Sequence, residues 1–164
     1  MEKIQFAQDH GEALYRRSLY IFWRRIVAPT MFFDVANRQG CTVKVGRTNT
    51  PLHALITLND ITFVEAARAL GERTLVAPMK DDGARISDMF RRCTARCPSA
   101  EESALLLARL ESLRKNFNQN ADAALKLLTV GESKSAADLA APELAAWTSL
   151  ASLILNLDEA LTKE

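Results

Sequence analysis

Two histidines and three cysteines in 164 residues leave little with which to build a metal centre. His10 and His53 stand far apart, and Cys41 is remote from Cys93 and Cys97. Zinc takes four protein ligands, or three and a water. Cys93 and Cys97, four apart on a predicted helix face, supply at most half of such a set. No C-x-x-C-H string occurs, so no c-type haem attaches to this chain. Small buried thiols are the plainer reading of the cysteines. A Cys93–Cys97 bridge inside a helix would be strained. Nucleophilic catalysis needs a base beside the nucleophile. Cys41 and His53 are the only Cys–His pair close in sequence, and nothing in the sequence brings them together. G-x-S-x-G, H-E-x-x-H, phosphate-loop and dinucleotide-binding glycine patterns are all missing.

Long apolar runs are missing too. The most apolar stretch, Leu144 to Leu157, contains Thr148, Ser149, Ser152 and Asn156. It is shorter than the roughly 18 residues a membrane span needs, and reads as a buried core helix. The N-terminus, MEKIQFAQDHGEAL, has no apolar segment of the kind that export signals carry. The net charge is only +1, so no global field draws the chain to nucleic acid or membrane. The charge is uneven: 8 Lys/Arg against 4 Asp/Glu in residues 1–50, and 6 against 10 in residues 99–164. Arg16, Arg17, Arg24 and Arg25 with Tyr15, Tyr20 and Trp23 are a poor nucleic-acid patch, because the aromatics fit an apolar helix face better.

What the chain does have is helical periodicity. At 48% apolar and 25% charged it is ordinary globular material, long enough for one domain with a core of its own. Leu14, Leu19, Phe22, Trp23 and Ile26 form a first amphipathic stripe, ended by Pro29. Residues 28–50 have no helical period and read as a long ordered loop, with an extended piece near Thr42–Val45. Thr50-Pro51 starts the next helix, and Asp60 caps another, with Phe63, Val64, Ala66, Ala67 and Leu70 buried and Arg68, Glu72 and Arg73 outside. Residues 76–83 read as a linker. Ile86, Met89, Phe90 and Cys93 mark a helix stopping before Pro98. Ser99 and Glu102 form a capping box for a long helix that breaks over 116–120. A short helix from Ala121 to Thr129 closes at Gly131, residues 132–137 are loop, and a last helix runs from Pro142 to Leu161. The expectation is an all-α, irregular bundle of about six helices in a single domain, with the ordered loop at 28–50.

The candidate site is polar. Asp34, Arg38, Arg47, Asn49, Asn59 and Asp60, with Asn37 and Thr48, place arginines and carboxylates where bidentate pairs can form. Two readings are open. The set lines a cleft for a sugar hydroxyl, carboxylate or partner loop. Alternatively it satisfies the backbone of an irregular loop and clamps it to the helices, Arg47 pairing with Asp34. The structural reading is preferred.

Particular strings carry a resemblance: YRRSLYIFWRR (15–25), Phe33-Asp34, Cys41-Thr42, RTNTPLHALITLND (47–60), FVEAARAL (63–70), FRR (90–92), Pro98, LAAWTSLA (144–151) and LNLDEALT (155–162). Together they resemble a planctomycete-type C-terminal domain of unknown function found in large exported multidomain proteins with cytochrome-c-like segments upstream. The resemblance extends over nearly the whole chain and implies a periplasmic or cell-surface setting. Without a signal peptide, the chain expressed alone would stay in the cytoplasm. It carries no catalytic residue across. That family's domain begins before the YRR string, so the chain reads as an N-terminally truncated version of it. The expected function is a helical accessory or interaction module, with enzymatic activity doubtful. The alternative is a ligand-binding or catalytic part of a carbohydrate-processing system built on the 34–60 cluster. The expected partner is a protein: the absent upstream segment, another chain, or a second copy meeting an apolar patch at Leu14, Leu19, Phe22 and Trp23. Carbohydrate is the secondary candidate, with no nucleic acid, membrane insertion or cofactor. Purified chain should accordingly show no Soret band and no stoichiometric zinc by elemental analysis, and either signal would overturn this reading of the histidines and cysteines.

Overall fold

The structure, a computed structural model, describes residues 10–15, 51–136 and 138–161. The chain divides into two compact units, Met1–Gly46 and Arg47–Glu164. In the first, the described residues form one 3-10 turn, Gly11–Tyr15, entered through Gly11 at positive φ. The stripe beyond Leu14 and the whole 28–50 loop lie outside the described residues.

The described part of the second unit is all helical, as the periodicity predicts. Its seven helices are α1 (Pro51–Asn59), α2 (Ile61–Val76), α3 (Asp82–Thr94), α4 (Ala100–Gln119), α5 (Ala121–Leu128), α6 (Ala141–Leu155) and α7 (Asp158–Leu161). Local chemistry explains most of the boundaries. Asp60 accepts from the Thr62 N–H at 2.9 Å and starts α2. Asp81 does the same for α3 through the Ala84 N–H. Ser99 and Glu102 form the reciprocal capping box of α4, at 3.1 and 2.6 Å.

Several boundaries differ from expectation. Asp82 and Gly83 belong to α3 rather than to a linker, because Asp81 caps one residue earlier. α3 ends at Thr94, where Ala95 turns left-handed at φ 62°; Cys97 is therefore off the helix, not on a face shared with Cys93. Both are free thiols. α4 continues through 116–119, leaving Asn120 alone as the break. The last helix is two: the α6 backbone stops at Leu155, and Asn156 and Leu157 turn the chain into α7.

α6 is the centre. Leu144, Ala145, Ala146, Trp147, Thr148, Leu150, Ala151 and Ile154 are all buried. It packs most extensively on α2, then on α4 and α5. The core adds Ala67 from α2, Ile86, Met89 and Phe90 from α3, and Leu106, Leu110 and Leu113 from α4. Cys93 packs against this core, half-buried, and burial raises its thiol pKa.

α2 and α6 come close together at Gly71. A Cβ on Gly71 would lie 3.2 Å from both the Thr148 nitrogen and the Trp147 carbonyl carbon. These are backbone atoms of a buried helix and cannot swing aside as a side chain would. Gly71→Val sets two further carbons against that backbone, an overpacking that costs about 1–3 kcal/mol or more. The expected outcome is a Tm lowered by several degrees; an unchanged or raised Tm would show that α2 and α6 can separate without loss.

Candidate functional site

The buried face of α2 is not wholly apolar. Arg68 is 2% exposed and Glu65 4%, while Ala66 is exposed. This corrects the assignment of Arg68 to the outer face and of Ala66 to the core. The spacing explains it: Glu65, Arg68 and Glu72 stand at i, i+3 and i+7, beside Ala67, Gly71 and Thr74 on the inward side.

Arg68 spends its donors on the chain that follows α5. It donates to the Leu128 carbonyl, to the Val130 carbonyl at 3.1 Å, and to the Ser133 carbonyl and hydroxyl at 2.6 Å each. Leu128 is the last residue of α5, so the guanidinium completes a helix end whose carbonyls lack intrahelical partners. Glu65 accepts from the Ser133 N–H and sits 3.4 Å from Arg68; Glu72 accepts from the Ala136 N–H at 3.0 Å. Gly131 bends over this set at φ 93°, and a Cβ there would fall 2.5 Å from the Glu65 carboxyl carbon. One arginine and two glutamates of α2 thus latch the segment joining α5 to α6.

Two more arginines join helices. Arg114 of α4 binds Glu143 of α6 at 2.9 and 3.1 Å and also reaches Asp82 at the start of α3. Glu143 in turn accepts from the buried Trp147 indole N–H at 2.8 Å. The Arg114 guanidinium holds the Asp82 carboxyl below its usual range. Arg96, after α3, bridges Glu102 of α4 (2.7 Å) and Glu159 of α7 (2.6 Å), and stacks 4.9 Å from the Phe90 ring. Hydrogen bonds from Arg96 and then from the Ser99 backbone pull the Glu102 carboxyl down to about 2.

A cleft is the remaining candidate. It has a volume of about 250 Å³ and is walled by Leu58 of α1, Val64 and Ala67 of α2, Arg109 and Leu113 of α4, Leu127 of α5, and Thr148, Ser149, Ser152 and Leu153 of α6. Thr148 bonds its own helix through the Leu144 carbonyl at 2.8 Å. Sequence reasoning missed this site because its lining comes from five helices.

Of the predicted site residues, Asp34, Arg38, Arg47 and Asn49 lie outside the described residues. Asn59 is exposed and donates to the Leu55 carbonyl at 2.7 Å. Asp60 caps α2. Both spend their side chains on neighbouring backbone. No group of three or more His, Cys, Asp and Glu able to hold a metal occurs among the described residues. None of the described helices is long and apolar enough to cross a membrane.

A buried helix ringed by others, tied by internal arginine latches, defines an all-α domain without an evident reacting centre among the described residues. The chain belongs to a family described as a protein of unknown function (DUF1553), whose model matches residues 1–110. The matched stretch ends inside α4, so the LAAWTSLA and LNLDEALT strings lie beyond it. Comparison with curated proteins and with solved structures gives no match.

Arg68→Met removes the buried cation beside Glu65 and frees the end of α5. The expected loss is about 3–5 kcal/mol, that of half-breaking a buried pair. In a Glu65→Gln background the same change should cost less, because the two share one network; additive losses would mean that Arg68 acts alone.

Acid provides a separate test. Glu102 titrates near 2 when folded, against about 4.3 in an unfolded chain. Its contribution is complete above about pH 5 and is lost as pH falls from about 4.3 through about 2. Glu102→Gln should flatten that part of the stability–pH curve; an unchanged acid limb would show that the Arg96 cluster is immaterial.

Proposed function

We propose that this chain is a helical accessory module that holds a partner protein, and that it works within an exported multidomain protein of the planctomycete type. One observation carries the reading. Leu55 on α1 and Ile61 at the first position of α2 are 59% and 62% exposed, on either side of the Asn59-Asp60 junction. Large apolar side chains gathered outside a core are what a protein interface uses. The arginine latches support the same reading, since their charges are spent on holding helices together. The polar set at 34–60 enters as a clamp: Asn59 and Asp60 already bond helix ends. The resemblance to exported proteins supports a periplasmic or cell-surface setting.

The test is a photo-crosslinking residue in place of Ile61, carried in the full protein in its native host, with Glu111 on α4 as control. Ile61 is expected to trap one recurring protein that the control does not. Equal labelling from both positions, or none from Ile61, would overturn the reading.

A further inference from the structure

Three polar side chains line the five-helix cleft with their polar groups unspent. Arg109 makes no ion pair or hydrogen bond among the described residues, unlike Arg68, Arg96 and Arg114, which bind two or more groups each. Ser149 and Ser152 are half-buried on the cleft face of α6. Neither hydroxyl bonds a described residue, whereas Thr57, Thr74, Thr94 and Thr148 all bond back to carbonyls of their own helices. Ser149 and Ser152 stand three apart and therefore share a face. The apolar part of the lining includes Leu58, Val64, Leu127 and Leu153. The cleft thus combines an apolar body with one unpaired guanidinium and two free hydroxyl donors.

We propose that this cleft binds a small monocarboxylate with an apolar tail. A carboxylate would take charge-assisted hydrogen bonds from Arg109 and neutral ones from Ser149 and Ser152, while its hydrocarbon part displaces water from the leucine walls. No carboxylate lines the cleft, so an anion meets no opposing charge there. The volume of about 250 Å³ lies just below the usual range for drug-sized ligands, which restricts the ligand to a small acid. The cleft does not include the two residues on which the partner surface rests, Leu55 and Ile61, although Leu58 and Val64 of the same helices line it.

The experiment uses the full chain, with octanoate as probe and n-octanol as its uncharged counterpart, both below the concentrations at which they aggregate. Titration is followed by amide chemical shifts and by calorimetry. Octanoate is expected to saturate at one per chain, to move the amides of Arg109, Ser149 and Ser152, and to bind at least about tenfold more tightly than octanol. Arg109→Gln, an exposed substitution, should remove that preference while leaving octanol binding and the Tm unchanged. Ser149→Ala with Ser152→Ala should weaken octanoate by a smaller factor. Equal affinity for octanoate and octanol in the unaltered chain would overturn the proposal, as would shifts confined to other parts of the protein or the absence of saturable binding. A preference that survives Arg109→Gln would also overturn it, because the carboxylate would then be held elsewhere.

Discussion

Helix α6 carries apolar or small side chains over most of its surface, so water must be kept from the greater part of its circumference. That requirement organises the domain. α2, α4 and α5 lie directly against it, and α3 closes over α4 and α2. Burying each large apolar side chain is worth about 1.5–3 kcal/mol, and Trp147, Leu144, Leu150 and Ile154 are all fully enclosed. Close approach is part of the same solution. Gly71 lets α2 come within van der Waals contact of the α6 backbone, where any side chain would hold the helices apart.

Enclosing α6 creates two polar problems, and arginines answer both. Trp147 brings an indole N–H into the core. Glu143 accepts it, and Arg114 neutralises Glu143 while reaching Asp82 on α3. α5 must end against α2, which leaves its last carbonyls facing protein instead of solvent. Arg68 takes the Leu128 and Val130 carbonyls, and Glu65 balances its charge. A buried ion pair is poor evidence of net stability. Here its effect is geometric: the guanidinium fixes the path of residues 128–133 and hence where α6 enters.

The same logic separates structural from available charge. Arg68, Arg96 and Arg114 are saturated by the fold, whereas Arg109 faces a cleft with no partner among the described residues. The cleft is a by-product of five helices meeting, and its walls are those left when α6 has been covered.

Much of the fold was legible in residue order, because helices announce themselves locally. Asp60, Ser99 and Glu102 cap within three residues of where they stand, and α4 shows its buried stripe in Leu106, Leu110 and Leu113. Boundaries failed where punctuation was missing or misleading: Ala95 turns left-handed without glycine and takes Cys97 off α3, and α4 runs through 116–119 despite its asparagines. The E-x-x-R-x-x-x-E run of α2 lay on the apolar face, a signal that polar groups there had buried partners. Which partners could not be read, since Leu128, Ser133 and Ala136 lie about sixty residues away. By itself, then, the sequence determined the all-α class, the caps at Asp60 and Ser99 and the apolar character of α6, all consequences of neighbours within one or two turns. Tertiary structure alone decided that Arg68 would be core and Arg109 free, and that five helices would leave a cleft, because those outcomes depend on contacts between residues distant in the chain.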